Sequence, residues 1–126
     1  MSGGKPVCGE QAIKEDAVKI SIRDVGDAQV VEVEGDVDLG TSTVLRRTLF
    51  EALPRAAKLA LNLEAIRYID SSGIATLIEV LQDSQRLNKE FVLFGLSPAV
   101  QEVFRLTHVI RIFRVFQTEQ EALGTA

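Results

Sequence analysis

Two hydroxyls beside a carboxylate, in the stretch Asp70-Ser71-Ser72-Gly73, are the residues of this chain best placed to do chemistry. Downstream, apolar residues at 74, 77, 78 and 81 recur at helical spacing, so a helix with one buried face runs from Ile74 to about Leu87. Upstream, Lys58-Leu59-Ala60-Leu61-Asn62-Leu63 alternates with period two and reads as a strand. The four residues therefore sit at a strand-to-helix junction. Several backbone N–H groups lack partners there, and the helix dipole presents its positive end. A phosphate is tolerated or stabilised at such a place, which makes Ser71 or Ser72 a candidate switch. The same local pattern also suits a hydroxyl that only caps the helix, with Asp70 as a further cap.

The elements that must position this junction follow from the chain in order. Residues 1–16 contain Gly3, Gly4, Pro6 and Gly9 and no sustained periodicity, which predicts a flexible tail, with an added edge strand as the alternative. Val18, Ile20 and Ile22 alternate with Lys19, Ser21 and Arg23 as a half-exposed strand. Gly26-Asp27 signals a two-residue turn into a second strand, Val30 to Glu34, which ends at Gly35-Asp36-Val37-Asp38. Leu45, Thr48, Leu49, Ala52 and Leu53 then share one helical face, with Thr41 or Ser42 as cap and Pro54 at the end. Phe91-Val92-Leu93-Phe94 is apolar on both faces, as in a strand covered from both sides. Ser97-Pro98 opens a helix whose buried face carries Val100, Val103, Phe104 and Thr107. Ile110 to Phe116 reads as a weaker strand, and Thr118-Glu119-Gln120-Glu121 has capping-box spacing for a short last helix. Strands alternating with helices after an opening hairpin predict a largely parallel sheet.

Composition narrows the function classes. A chain of 126 residues with 46% hydrophobic and 25% charged residues fits one globular domain. Its net charge of −4 disfavours a sequence-independent nucleic-acid binder. No apolar run approaches the ~20 residues that span a bilayer, and the first residues lack a secretory apolar segment, so a cytoplasmic protein is expected. One Cys and one His, Cys8 and His108, cannot build a disulfide or a His/Cys metal cluster within the monomer. Neither has catalytic companions, no cofactor motif is present, and no enzyme is expected. Arg105, Arg111 and Arg114 form a modest basic cluster that reads as a solvated face.

Tyr68-Ile69-Asp70-Ser71-Ser72-Gly73-Ile74 resembles the signature of STAS domains, specifically the bacterial anti-sigma factor antagonists. Gly35-Asp36-Val37-Asp38 is similar to the family's turn after the second strand, and Gly95-Leu96-Ser97-Pro98-Ala99-Val100 to its penultimate strand-helix junction. The resemblance implies an α/β fold over residues 17–126: a mixed, mostly parallel sheet of four to five strands, opening with a β-hairpin, with about four helices. It also implies a phosphorylation-controlled binding switch. The unphosphorylated domain binds an anti-sigma factor that is itself a serine kinase, and phosphorylation at Ser71 releases it. A separate phosphatase resets the switch, and sigma-factor-dependent transcription is the output. On this resemblance Asp38 lies near Ser71 and supports phosphorylation and partner contact. The implied partner-binding set is Asp36, Asp38, Asp70, Ser71, Ser72 and Gly73, with Ser72 structural in the first turn and Gly73 allowing close approach.

Two alternatives stand beside this. Similar STAS domains serve as accessory subunits of lipid-transporting ABC systems and dock on the ATPase through the same junction. A receiver-like phosphotransfer domain using Asp70 is the other, but it needs an acidic cluster after the first strand and a lysine after a late one. The chain has Val25-Gly26-Asp27 and Gly95-Leu96 at those places.

Overall fold

Six strands lie across one sheet in sequence order: β1 (Glu10–Glu15), β2 (Val18–Val25), β3 (Ala28–Val37), β4 (Lys58–Ile69), β5 (Glu90–Phe94) and β6 (Arg114–Phe116). The computed structural model describes residues 10–15 and 18–124. The first two pairings are antiparallel and the last three parallel. Parallel neighbours require a crossover. Here α1 (Leu39–Ala52), α2 (Ser71–Arg86) and α3 (Pro98–Thr107) supply them, and α4 (Glu119–Leu123) follows β6. The β2–β3 hairpin turns at Gly26-Asp27, with Val25 opposite Ala28 and Gly26 at a φ of +62° that favours glycine.

Side-chain alternation sends the strands' apolar residues to two faces. Ile20, Val31, Val33, Leu61, Leu63, Phe91 and Leu93 meet Leu45 and Leu49 of α1, Leu77 and Val80 of α2, and Val100 and Phe104 of α3. On the other face Val30, Ala60, Val92 and Phe94 pack against Ala122 of α4. Phe91 to Phe94 is thus covered on both sides, as its unbroken apolar run requires. Each fully buried aliphatic or aromatic side chain in these layers stabilises the fold by roughly 1.5–3 kcal/mol. The α3 face is narrower than expected: Val100 and Phe104 are buried, whereas Thr107 is exposed and donates its hydroxyl to the Val103 carbonyl.

The flexible tail expected over residues 1–16 is corrected in part. Glu10–Glu15 form an edge strand, running from Glu10 opposite Arg23 to Glu15 opposite Val18. The breakers Gly3, Gly4, Pro6 and Gly9 all precede it, and pairing covers the edge that β2 would otherwise present. The rest of that stretch, residues 1–9 and 16, lies outside the described residues. The sheet consequently has six strands rather than four to five.

Near the C-terminus the expected Ile110–Phe116 strand shrinks to Arg114–Phe116. Residues Val109–Ile112 form a 3-10 turn after the left-handed His108 that ends α3. α4 starts as its spacing predicts, with Glu121 N–H donating to the Thr118 hydroxyl at 3.2 Å. The return bond from the Glu121 carboxylate goes one residue further back, to Gln117 N–H at 3.1 Å.

The largest departure is β4, which has 12 residues and reaches Ile69 instead of stopping at Leu63. Its pairing with β3 shifts between Glu32 and Glu34, and again between Gly35 and Asp36. Glu32 lies opposite Asn62 but Glu34 opposite Ala65, and Gly35 opposite Ile66 but Asp36 opposite Tyr68, so β4 carries the extra residues. Those insertions break the period of two that marks a strand in sequence. At the first irregularity the buried Asn62 side chain accepts from Glu64 N–H at 2.9 Å and donates to Glu32 at 3.3 Å. Its local bonds hold the bulge in place of ladder bonds.

Candidate functional site at the paired strand-to-helix junctions

β3 and β4 end side by side and both turn directly into helices. Val37 pairs with Ile69, and Asp70 N–H donates to the Val37 carbonyl at 3.1 Å. One residue later each chain has an aspartate as N-cap, Asp38 for α1 and Asp70 for α2. The first helical residues, Leu39 and Ser71, follow in step. Adjacent strands are about 4.8 Å apart, so the two helix starts are immediate neighbours on one rim. α1 packs along α2, and Arg46 Nε donates to Glu79 at 2.7 Å between them.

At the first junction, Asp38 Oδ1 accepts from Gly40 N–H at 3.0 Å and Thr41 N–H at 3.1 Å. The Thr41 hydroxyl accepts in return from Asp38 N–H at 2.9 Å and donates to the Asp36 carbonyl at 2.7 Å. This reciprocal box starts α1 at Leu39, so the cap is Asp38 and not Thr41 or Ser42. The Asp36 carboxylate faces Arg67 Nε at 3.5 Å.

At the second junction, Asp70 Oδ1 accepts from Ser72 N–H at 2.9 Å, Gly73 N–H at 3.3 Å and the Ser72 hydroxyl at 2.5 Å. The Ser72 hydroxyl, assisted by the Gly73 and Ser72 N–H groups, holds the Asp70 carboxyl below the ordinary carboxylate range, against an opposing push from partial burial. Asp70 therefore orients Ser72, and none of these bonds reaches Ser71. Ser71, the first residue of α2, is exposed, and its hydroxyl engages no other group among the described residues.

Gly73 is buried. A Cβ there would lie 2.7 Å from Ile69 Cγ1 and 2.8 Å from Val37 Cγ1. Its missing side chain lets the first turn of α2 settle onto the ends of β3 and β4, so the close approach it permits is internal rather than to a partner.

Asp36, Asp38, Asp70, Ser71 and Ser72 are thus gathered on one rim. Two apolar neighbours were not singled out from sequence: Leu39, 75% exposed, and Tyr68, 51% exposed. Leu39 does leave a signal, because it falls off the buried α1 stripe of Leu45, Thr48, Leu49 and Ala52. Tyr68 leaves none, since the irregular β4 register hides which way it points.

The described residues thus form a partly parallel α/β domain in which two aspartate-capped helices start side by side, the second with an exposed serine. Among the described residues no group of three or more His, Cys, Asp or Glu side chains is arranged to hold a metal ion. No helix of the described residues is long and apolar enough to cross a membrane. The STAS domain family model matches residues 19–122, and the chain belongs to that family. The receiver alternative gives way to this assignment. The chain is 25% identical over 109 residues to the anti-sigma-B factor antagonist of Listeria monocytogenes, covering 86% of this chain and 95% of that protein. Among solved structures it is similar to an anti-sigma factor antagonist from Mycobacterium paratuberculosis, with a TM-score of 0.79, 21% identity and coverage of 86% and 92%. It is also similar to the phosphorylated form of the Bacillus cell fate determinant SpoIIAA, with a TM-score of 0.66, 19% identity and coverage of 83% and 96%. These structural likenesses establish the fold.

Proposed function

We propose that this chain is a cytoplasmic anti-sigma factor antagonist whose binding is switched by phosphorylation of Ser71. The observation that carries this reading is the contrast between the two serines. Ser72 is held by Asp70, while Ser71 is exposed at the start of α2 with its hydroxyl bonded to no group among the described residues. The names of the relatives supply the partner class, an anti-sigma factor.

In this reading the unphosphorylated rim of Asp36, Asp38 and Ser71 binds an anti-sigma factor that is also a serine kinase, and a sigma factor is freed. The kinase then moves the terminal phosphoryl group of ATP to Ser71 Oγ. The new O–P bond replaces the bond to the leaving ADP oxygen, and the serine proton passes to a base of the kinase. A phosphatase hydrolyses the ester to reset the domain. The chain itself contributes binding and an acceptor hydroxyl.

Phosphorylation adds about −1.5 to −2 charges and three acceptor oxygens. The α2 N-terminus offsets part of that charge, by ~0.3–1 kcal/mol at an exposed position, so the fold survives. A closed interface fares differently, because the phosphate stands beside the Asp38 and Asp70 carboxylates and must shed water. Imperfectly paired charge costs several kcal/mol on desolvation, and each ~1.4 kcal/mol is tenfold in affinity. Release needs no large rearrangement.

Incubation with the cognate anti-sigma factor kinase and ATP tests the reading by intact-mass measurement. One phosphate on the wild type and none on Ser71→Ala is expected. Phosphate retained by Ser71→Ala, or stable association with an ABC ATPase in place of a serine kinase, would overturn it.

A further inference from the structure

The structure assigns Leu39 and Tyr68 as the apolar anchors by which the anti-sigma factor kinase seats on this domain, an inference that rests on the Ser71 switch described above. Six large hydrophobic residues are exposed among the described residues: Leu39, Tyr68, Leu106, Ile110, Ile112 and Val115. The last four belong to the end of α3, the 3-10 turn and β6, on the far side of β5. Leu39 and Tyr68 stand apart from them, at the β3–β4 rim where the helix starting at Ser71 begins.

Their positions follow from backbone register. Tyr68 pairs with Asp36, and Ile69 with Val37. The Asp70-to-Val37 hydrogen bond carries this alignment past the end of the ladder. Leu39 and Ser71 are then equivalent first residues of neighbouring helices, each preceded by its capping aspartate. Both helix starts are rigidly held, Asp38 by its reciprocal bonds with Thr41 and Asp70 by three donors. Leu39 is consequently presented from a fixed backbone at 75% exposure, on the side of α1 away from its buried stripe.

A kinase that brings ATP to Ser71 Oγ must cover the ground within one strand spacing of it. Leu39 occupies that ground, with Tyr68 one pair back along β4. Their occupant is the same protein that reaches the serine, and the matching feature on it is an apolar socket beside its nucleotide site. A few anchors near the centre of a contact carry most of its affinity, tyrosine prominent among them, and a backbone already held in place loses little freedom on docking. A hydrated phosphate on Ser71 sits between the anchors and their socket and prevents both from being covered. The carboxylates of Asp36, Asp38 and Asp70 around them exclude unselective apolar contacts by requiring solvation or matched charge.

The experiment uses the full chain and the purified serine kinase that phosphorylates Ser71, chosen from the anti-sigma factor kinases of the source genome by the intact-mass assay. Leu39→Ala, Tyr68→Ala and the double variant are compared with Ile112→Ala, an exposed apolar truncation remote from the rim. Leu39→Ala is expected to weaken binding at least about tenfold, with the double variant weaker still. KM for Ser71 phosphorylation should rise with kcat nearly unchanged, melting temperatures should hold, and Ile112→Ala should match wild type. Binding by the double variant within about twofold of wild type, with Ser71 still phosphorylated, would overturn the anchors and leave the switch intact. If no such kinase phosphorylates Ser71, the switch fails and this assignment falls with it.

Discussion

The Ser72 hydroxyl donates to Asp70 Oδ1 at 2.5 Å, and this one bond separates the roles of two adjacent serines. The carboxylate that caps α2 also holds the second hydroxyl, that of Ser72. The first hydroxyl is left on the rim. The two adjacent hydroxyls therefore differ in the resting domain, one bonded to the cap and one exposed.

Removing the Ser72 hydroxyl should move the Asp70 carboxyl upward, because that hydroxyl is the largest influence lowering it. Ser72→Ala should cost about 1 kcal/mol of stability and still accept phosphate at Ser71. An NMR titration of Asp70 and an intact-mass assay check the two parts. An unchanged Asp70 titration would contradict the assigned hydrogen bond.

Asp70 also predicts a pH dependence with a definite sign. Its folded-state pKa lies below the unfolded value, so the stability it contributes is present above the ordinary carboxylate pKa. That contribution is lost as pH falls through the lower folded value. Asp70→Ala should be less stable than wild type by ~0.5–2 kcal/mol at neutral pH. The gap should close in strongly acidic solution, as urea unfolding at several pH values would reveal.

Gly73→Ala places a methyl group 2.7 Å from Ile69 Cγ1 and 2.8 Å from Val37 Cγ1, both buried side chains. The first turn of α2 must lift or the strand ends must shift, at a cost of about 1–3 kcal/mol. Thermal unfolding should show the loss. Because the same turn carries Ser71, phosphorylation should slow as well; an alanine variant as stable as wild type would refute the packing role.

Ser71→Glu puts a carboxylate at the first position of α2, where the dipole favours negative charge. Stability should change by no more than about 0.5 kcal/mol, while affinity for the anti-sigma factor falls well over tenfold. Calorimetry of the variant with the purified partner measures the second quantity. Wild-type affinity in a folded Ser71→Glu protein would contradict release by charge.

Local patterns in the chain were enough to determine the alternation of elements, the two-residue turn at Gly26-Asp27, the Ser97-Pro98 helix start and the doubly covered Phe91–Phe94 strand. The serine junction was legible for the same reason: a capping acid, hydroxyls and the onset of helical periodicity all lie within a few residues. The edge strand Glu10–Glu15 was not, because its order comes from pairing with β2 rather than from a pattern of its own. The full length of β4 was hidden by extra residues that only the register against β3 makes visible. Tertiary structure alone decided which oxygen Asp70 holds, that Gly73 faces inward, and that Leu39 stands beside Ser71 from 32 positions earlier in the numbering. Hydrogen-bond choice at a cap turns on tenths of an ångström, and neighbours across parallel strands are set by sheet register, for which periodicity along one segment carries no information.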